Sequence, residues 1–252
     1  MEDKRLYDAQ SIESLSPLEF TRLRPGVYAG DCTYSTQLLV EILSNAIDEF
    51  KLGHGTKIEI DLNKDTVSLR DYGQGFLVNH IRDDGKTILE AAFSVLNTSG
   101  KYREDGTYEG TSLGSFGIGA KIANYLAHWL NVTTYRDQQM ERVRFVEGVF
   151  ADRVVGKTDQ PSGTFVEWQP SEEFFTHPEV EISKIEELLN TIVCLCPGLT
   201  IVLNDNGTVK EFFSKNGLVD YVNQKVSDKE IINNRFCSSF KVGKEAIDFI
   251  LT

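Results

Sequence analysis

The run from Tyr34 to Leu52 limits the fold more than any other part of the chain, because it carries two chemically distinct faces at helical spacing. At about 100° per residue, Glu41, Asn45 and Asp48 fall within one narrow arc with Glu49 beside them, while Leu39, Ile42, Leu43, Ala46, Ile47 and Phe50 form the opposite stripe. Such a helix must bury its apolar stripe against a core. Its acidic and amide side, taken alone, reads as a solvated surface. Two glycine-rich turns elsewhere in the chain change that reading.

The first turn is Asp71-Tyr72-Gly73-Gln74-Gly75, directly after the alternating run Thr66 to Arg70. It places a carboxylate at a strand end, followed by glycines that let backbone approach a ligand closely. The second runs from Gly110 through Gly114, Gly117, Ile118 and Gly119 into the helix-like Ala120 to Leu126. A glycine-rich loop entering a helix leaves backbone N–H groups free at the positive end of the helix dipole, which suits a phosphate. It is neither a Walker A loop, since no Gly-Lys-Ser/Thr ends it, nor a dinucleotide fingerprint, since no strand leads straight into it.

In this order, a Glu-x-x-x-Asn-x-x-Asp helix, a DxGxG turn and a GxxGxG loop resemble the signature of the GHKL ATPases. Flanking segments narrow the resemblance to the B subunits of bacterial type IIA topoisomerases, DNA gyrase and topoisomerase IV. Arg24-Pro25-Gly26-Val27-Tyr28-Ala29-Gly30-Asp31 is similar to their RPGMYIGD, Glu41 to Glu49 to their EVVDNAIDE, and Ser99-Gly100-Lys101-Tyr102 to their lid entrance GGKF. Tyr135-Arg136-Asp137, Ser162-Gly163-Thr164 and Trp168-Gln169-Pro170-Ser171 match strands across the same site.

The resemblance implies an α+β fold, the GHKL (Bergerat) sandwich of helices on a mixed, mainly antiparallel sheet. It implies an entry arm at residues 1–31, an ATP-binding domain at 32–227 and the beginning of a transducer domain at 228–252. It further implies ATP and Mg²⁺ as cofactors. Glu41 is the implied general base for the water attacking the γ-phosphate, and Asn45 the implied Mg²⁺ ligand. Asp71 would accept from the adenine exocyclic amine, with Asp48, Gly73, Gly75 and Thr164 lining the same pocket. Gly114, Gly117, Ile118 and Gly119 would cradle the phosphates, and Lys101 and Tyr108 would close from a lid over roughly residues 97–116. Arg136 matches the arginine that aminocoumarin inhibitors grip. The implied partners are a second copy reached by the arm carrying Tyr7, a topoisomerase A subunit, and DNA through the full-length enzyme. A γ-phosphate lysine of the following domain would lie beyond Thr252, so low turnover by this stretch alone is expected. The alternatives are a histidine-kinase-like phosphotransferase, which would lack a carboxylate at the position of Glu41, and a catalytically weak regulatory nucleotide-binding module.

Several positions depart from the bacterial pattern. Gln37 stands where a histidine commonly supports the glutamate, Gln74 replaces an arginine that would pair with Glu49, Leu77 replaces a proline, and Phe116 replaces a histidine or asparagine. The stretch Gly117 to Lys121 is closer to eukaryotic and viral versions.

Composition sets outer limits. A chain of 252 residues with 40% hydrophobic content can bury a sizeable core in one domain or slightly more. A net charge of −12 argues against wrapping DNA unaided. The N-terminus lacks a signal-peptide core and no apolar run approaches membrane-spanning length, so a cytoplasmic location is expected. Cys32, Cys194, Cys196 and Cys237 show neither CxxC spacing nor companion histidines and read as reduced thiols. Trp129 is expected to pack the phosphate-site helix onto the sheet. Strands are predicted at 57–62, 66–71, 132–136, 142–147, 164–169, 200–203, 209–213 and 246–252, and helices at 87–96, 120–126, 182–193 and 218–223.

Overall fold

The computed structural model describes residues 15–96, 117–225, 236–242 and 245–251. Its centre is a long helix, α3 (Thr36–Lys51), which follows two short helices, α1 (Pro17–Leu23) and α2 (Gly26–Ala29), and a bridge at Tyr34. The entry segment, read from sequence as an arm, therefore carries helices. A capping box starts α1, with Ser16 accepting from the Glu19 N–H and the Glu19 carboxylate accepting from the Ser16 N–H. In α3 the stripe predicted from spacing is the buried one: Leu39, Ile42, Leu43, Ala46 and Ile47 are all at most 3% exposed.

The stripe packs on an eight-stranded sheet. Its strands are β1 (Lys57–Asn63), β2 (Thr66–Asp71), β3 (Ala127–Arg136), β4 (Gln139–Val146), β5 (Val149–Lys157), β6 (Gly163–Pro170), β7 (Thr200–Asp205) and β8 (Thr208–Phe213). Their spatial order is β5-β4-β3-β6-β2-β1-β7-β8. Every pair is antiparallel except β1 with β7, so the mixed, mainly antiparallel sheet expected from the resemblance is present. Period-two burial along β1 and β6 gives the sheet a core face, covered by α3, α4 (Ile88–Ser94), α5 (Gly119–Tyr125) and α6 (Ile182–Leu195). Trp168, Leu130, Leu69 and Ile201 from the sheet and Leu189 from α6 belong to this single core. Beyond it come α7 (Leu218–Lys225) and a hairpin of β9 (Phe236–Val242) with β10 (Glu245–Leu251).

Three expectations need correction. β5 is missing from the strands predicted by pattern. It is one of the sheet's two edges and nearly every residue in it is exposed, so it lacks the alternation that betrays a half-buried strand. β3 begins at Ala127, five positions earlier than expected, because the buried run through Leu126 passes from helix to strand without glycine or proline to mark the change. Trp129 consequently lies on that strand rather than packing the phosphate-site helix. Its indole N–H donates to Gln169 Oε1 at 2.8 Å, across the β3–β6 pairing, and Arg144 lies over its ring. The fully buried tryptophan is Trp168.

Among the described residues, no helix is long and apolar enough to cross a membrane. Cys32, Cys194 and Cys196 are unpaired, and burial raises the thiol pKa of Cys32 and of Cys196, which keeps both as inert thiols.

Candidate nucleotide site

The acidic side of α3 meets the first turn of α5 and the ends of β2, β6 and β3. Glu41 is half-buried, and its Oε1 accepts from Gln37 Nε2 at 2.7 Å, one helical turn earlier. The neutral amide predicted to orient this carboxylate therefore touches it. Gly119, the first residue of α5, lies so close that a Cβ built there would collide with the Glu41 carboxylate. Gly117 has φ +61°, which favours glycine, and Ile118 is the helix cap. Asn45 is exposed. Its Nδ2 donates to the Glu41 carbonyl at 3.1 Å, leaving Oδ1 with no partner among the described residues. Asp48 lies deeper, 3% exposed, near enough to Cys196 to help raise that thiol.

Asp71 ends β2 and is 7% exposed. Its Oδ1 accepts the Gly73 N–H at 2.8 Å and the Thr164 N–H at 3.1 Å, which leaves Oδ2 with no partner among the described residues. Burial pushes its pKa up to about 6, against the two N–H donors and the nearby Arg70 charge, which favour the carboxylate. A shifted carboxylate held at a strand end beside glycine turns marks a candidate site. Thr164 is itself buried.

The turn after Asp71 is packed hard. Gly73 abuts the Glu49 side chain, and Glu49 Oε2 accepts the Gln74 N–H at 3.2 Å, so Glu49 holds this turn by backbone where the bacterial pattern has an arginine side chain. Gly75 has φ +69°, and a Cβ there would meet the Tyr135 carbonyl at 2.6 Å. The Phe76 N–H donates to Thr134 Oγ1, and Arg136 Nη1 to the Gly75 carbonyl at 3.2 Å. Arg136 is 30% exposed, with Asp137 at 3.6 Å.

Glu41, Asn45, Asp71, Gly73, Gly75, Gly117, Ile118, Gly119, Thr164 and Arg136 are thus gathered around one region. Lys101, Tyr108, Gly114 and Phe116 lie outside the described residues, as does Tyr7. Lys121, quoted in the eukaryote-like stretch, is buried on α5, and desolvation lowers its pKa to about 8.

Sequence reasoning missed one group. Glu141 is 0% exposed; its Oε2 accepts the Asn79 N–H at 2.7 Å and its Oε1 the Arg153 Nε at 3.0 Å, while Arg153 Nη2 donates to Asn79 Oδ1 at 2.6 Å. This knot ties the loop beyond Gly75 to β4 and β5. The signal was a carboxylate in the same alternation phase as Val143 and Phe145, both fully buried.

A mixed sheet carrying a buried carboxylate at a strand end, beside a helix with an acid and an amide in register, is the arrangement of the GHKL class of nucleotide-binding domain. No protein-family model matches the chain. Sequence relatives do: the B subunit of DNA gyrase from Thermotoga maritima is 35% identical over 223 residues, covering 86% of this chain and 35% of the relative. The B subunit of DNA topoisomerase 4 from Salmonella typhimurium is 31% identical over 252 residues, covering 97% of this chain and 40% of the relative. Among solved structures, the 43K ATPase domain of Thermus thermophilus gyrase B, in complex with an aminocoumarin, superposes with a TM-score of 0.77 at 26% identity, covering 92% of this chain and 61% of that one. The topoisomerase IV ATP-binding domain of Francisella tularensis, with a small-molecule inhibitor, gives 0.75 at 24% identity and shares the fold, covering 92% of this chain and 62% of that one. The chain belongs to the family of DNA gyrase and topoisomerase IV B subunits, and it spans little more than a third of the length of the curated relatives it matches.

Proposed function

We propose that this chain binds ATP with Mg²⁺ and hydrolyses it, as the ATPase part of a type II topoisomerase B subunit acting in the cytoplasm. The observation that carries the reading is Asp71: a buried carboxylate fixed by two backbone N–H groups on one oxygen, with the other left to accept from an exocyclic amine. A guanine offers a carbonyl at that edge, so the same carboxylate discriminates against it. Glu41 acts as general base, deprotonating a water for attack at the terminal phosphorus, with Gln37 holding the carboxylate in place. Asn45 suits Mg²⁺ because its Nδ2 is occupied and its amide oxygen is not. The ion would supply charge neutralisation across the phosphate oxygens. Gly119 brings backbone against Glu41 where a side chain would intrude, and Gly117 and Ile118 precede it in the proposed phosphate cradle. Lys101, Tyr108 and Gly114 are proposed to complete the phosphate site, and Asp48 to support it from beneath.

In the whole protein we assign this activity to an ATP-operated clamp: two copies close on nucleotide, the A subunit cleaves DNA, and one duplex passes through another. The hairpin at 236–251 is assigned to the opening of the following domain, with the boundary near residue 228. Arg136, beside Gly75, is the proposed contact for an aminocoumarin, since a guanidinium favours planar recognition.

The test is calorimetric titration with a non-hydrolysable ATP analogue and Mg²⁺, comparing the unmodified chain with Asp71→Asn and using GTP as the control. Selective binding of the adenine nucleotide that the substitution abolishes is the expected result. Binding indifferent to Asp71 would overturn the assignment.

A further inference from the structure

Arg70 precedes Asp71 on β2, so the two side chains leave opposite faces of the strand. Asp71 faces the nucleotide site. On the other face the Arg70 guanidinium lies between two aromatic rings, 4.8 Å from the Tyr72 centroid and 4.5 Å from that of Tyr135. One ring belongs to the DxGxG turn and the other to β3. The Tyr72 hydroxyl is in turn held by the Glu59 carboxylate on β1. A cation in a two-ring slot is restrained in plane and position, and its planar fork is directed by that restraint.

That fork points at the turn leading into β6. Arg70 Nη2 donates to the Pro161 carbonyl at 2.6 Å and reaches the Ser162 carbonyl at 3.5 Å. The next residue, Gly163, has φ +135°, and a Cβ there would collide with the Asp71 carbonyl and press on Arg70 Nη1 at 2.8 Å. The turn therefore lies flat against both residues. Immediately after it comes Thr164, whose N–H is one of the two donors that hold Asp71 Oδ1.

We propose that Arg70 is a positioning residue for the adenine carboxylate: gripped by Tyr72 and Tyr135, it holds the 161–163 turn so that the Thr164 N–H stays on Asp71. This rests on the adenine reading of Asp71 given above. Arg70 acts from behind the sheet and touches no nucleotide. Its charge also lies close enough to favour the ionised form of Asp71, the form that accepts from an amine. A role confined to stability would lower the melting temperature without moving either the titration of Asp71 or nucleotide affinity below that temperature.

The experiment combines calorimetry of the Mg²⁺ complex of a non-hydrolysable ATP analogue with carbon-13 titration of the Asp71 carboxyl, on the 252-residue chain. For Arg70→Gln, affinity is expected to fall about tenfold, the loss of one charge-assisted hydrogen bond. The Asp71 titration should move upward from about 6. Arg70→Lys keeps the charge but cannot fill the slot and bridge two carbonyls, so it should leave the titration near its original place and still weaken binding. Tyr135→Leu loosens the grip from β3 and should weaken binding in the same direction, which keeps the test open if Arg70→Gln does not fold. Folded Arg70→Gln, or folded Tyr135→Leu, with affinity and titration both unchanged would overturn the proposal. Unchanged binding by Asp71→Asn is a different failure: it removes the adenine reading itself, whatever the Arg70 variants do.

Discussion

Glu41 and Asp71 are the two acids of the proposed nucleotide site, and their surroundings differ. Glu41 has a neutral amide on one oxygen and the backbone of Gly119 against the other, so it can take a proton without first breaking an ion pair. Glu41→Gln should therefore reduce turnover about 10²- to 10⁴-fold while leaving nucleotide affinity nearly intact, measured by steady-state hydrolysis in the full-length subunit. Asp71 is shifted by its burial. Its folded pKa, about 6, lies above the ordinary 3.8, so its contribution to stability is fully present below pH 3.8 and is lost as pH rises through about 6. An amine donor prefers the carboxylate, so nucleotide binding should pull the Asp71 titration back down. Carbon-13 titration with and without saturating ATP analogue checks this, and an unmoved or raised titration would contradict an amine contact.

Among the elements, the loop after Gly75 depends on strands that follow it by more than sixty positions, through Glu141. Glu141→Ala leaves the Asn79 N–H and the Arg153 guanidinium without their buried acceptor. It should cost about 3 kcal/mol in urea unfolding, the low end for a broken buried pair because Arg153 keeps 26% of its side chain exposed. The junction of α3 with α5 makes a sharper demand. Gly119→Ala places a methyl group in the space of the Glu41 carboxylate, and the expected result is loss of hydrolysis by a full-length subunit that still folds, seen as a retained circular dichroism spectrum with turnover lost relative to the unmodified subunit. Trp168, 1% exposed on β6 between β2 and β3, anchors the core face, and Trp168→Ala should cost about 3–5 kcal/mol by the same unfolding assay.

At the scale of the whole chain, the 252 residues carry a net charge of −12. In the proposed clamp, like charge on this stretch works against the approach of two copies, and bound nucleotide would supply the bias that brings them together. Sedimentation velocity of the full-length subunit should show dimer promoted by a non-hydrolysable ATP analogue, with the effect increasing as salt screens the like charges. Lack of nucleotide dependence would count against the clamp.

The helix with its two faces, the strand-end carboxylate and the glycine turns were legible in sequence because each depends on residues close together in the chain. Periodicity and steric freedom at glycine are local properties, and they sufficed to place the two faces of α3 and Asp71 at the end of β2, while the family was legible through its motifs. They failed where burial is decided by distant partners. β5 reads as loop because nearly all of it is exposed and its residues show no alternation, and the start of β3 reads five positions late because nothing local marks the passage from helix to strand at Leu126. The depth of Asp48, the Glu141 knot and the Arg70 slot arise only when β1 through β6 are laid side by side. A charge's energy depends on what surrounds it in space, and the chain's own order does not contain that information.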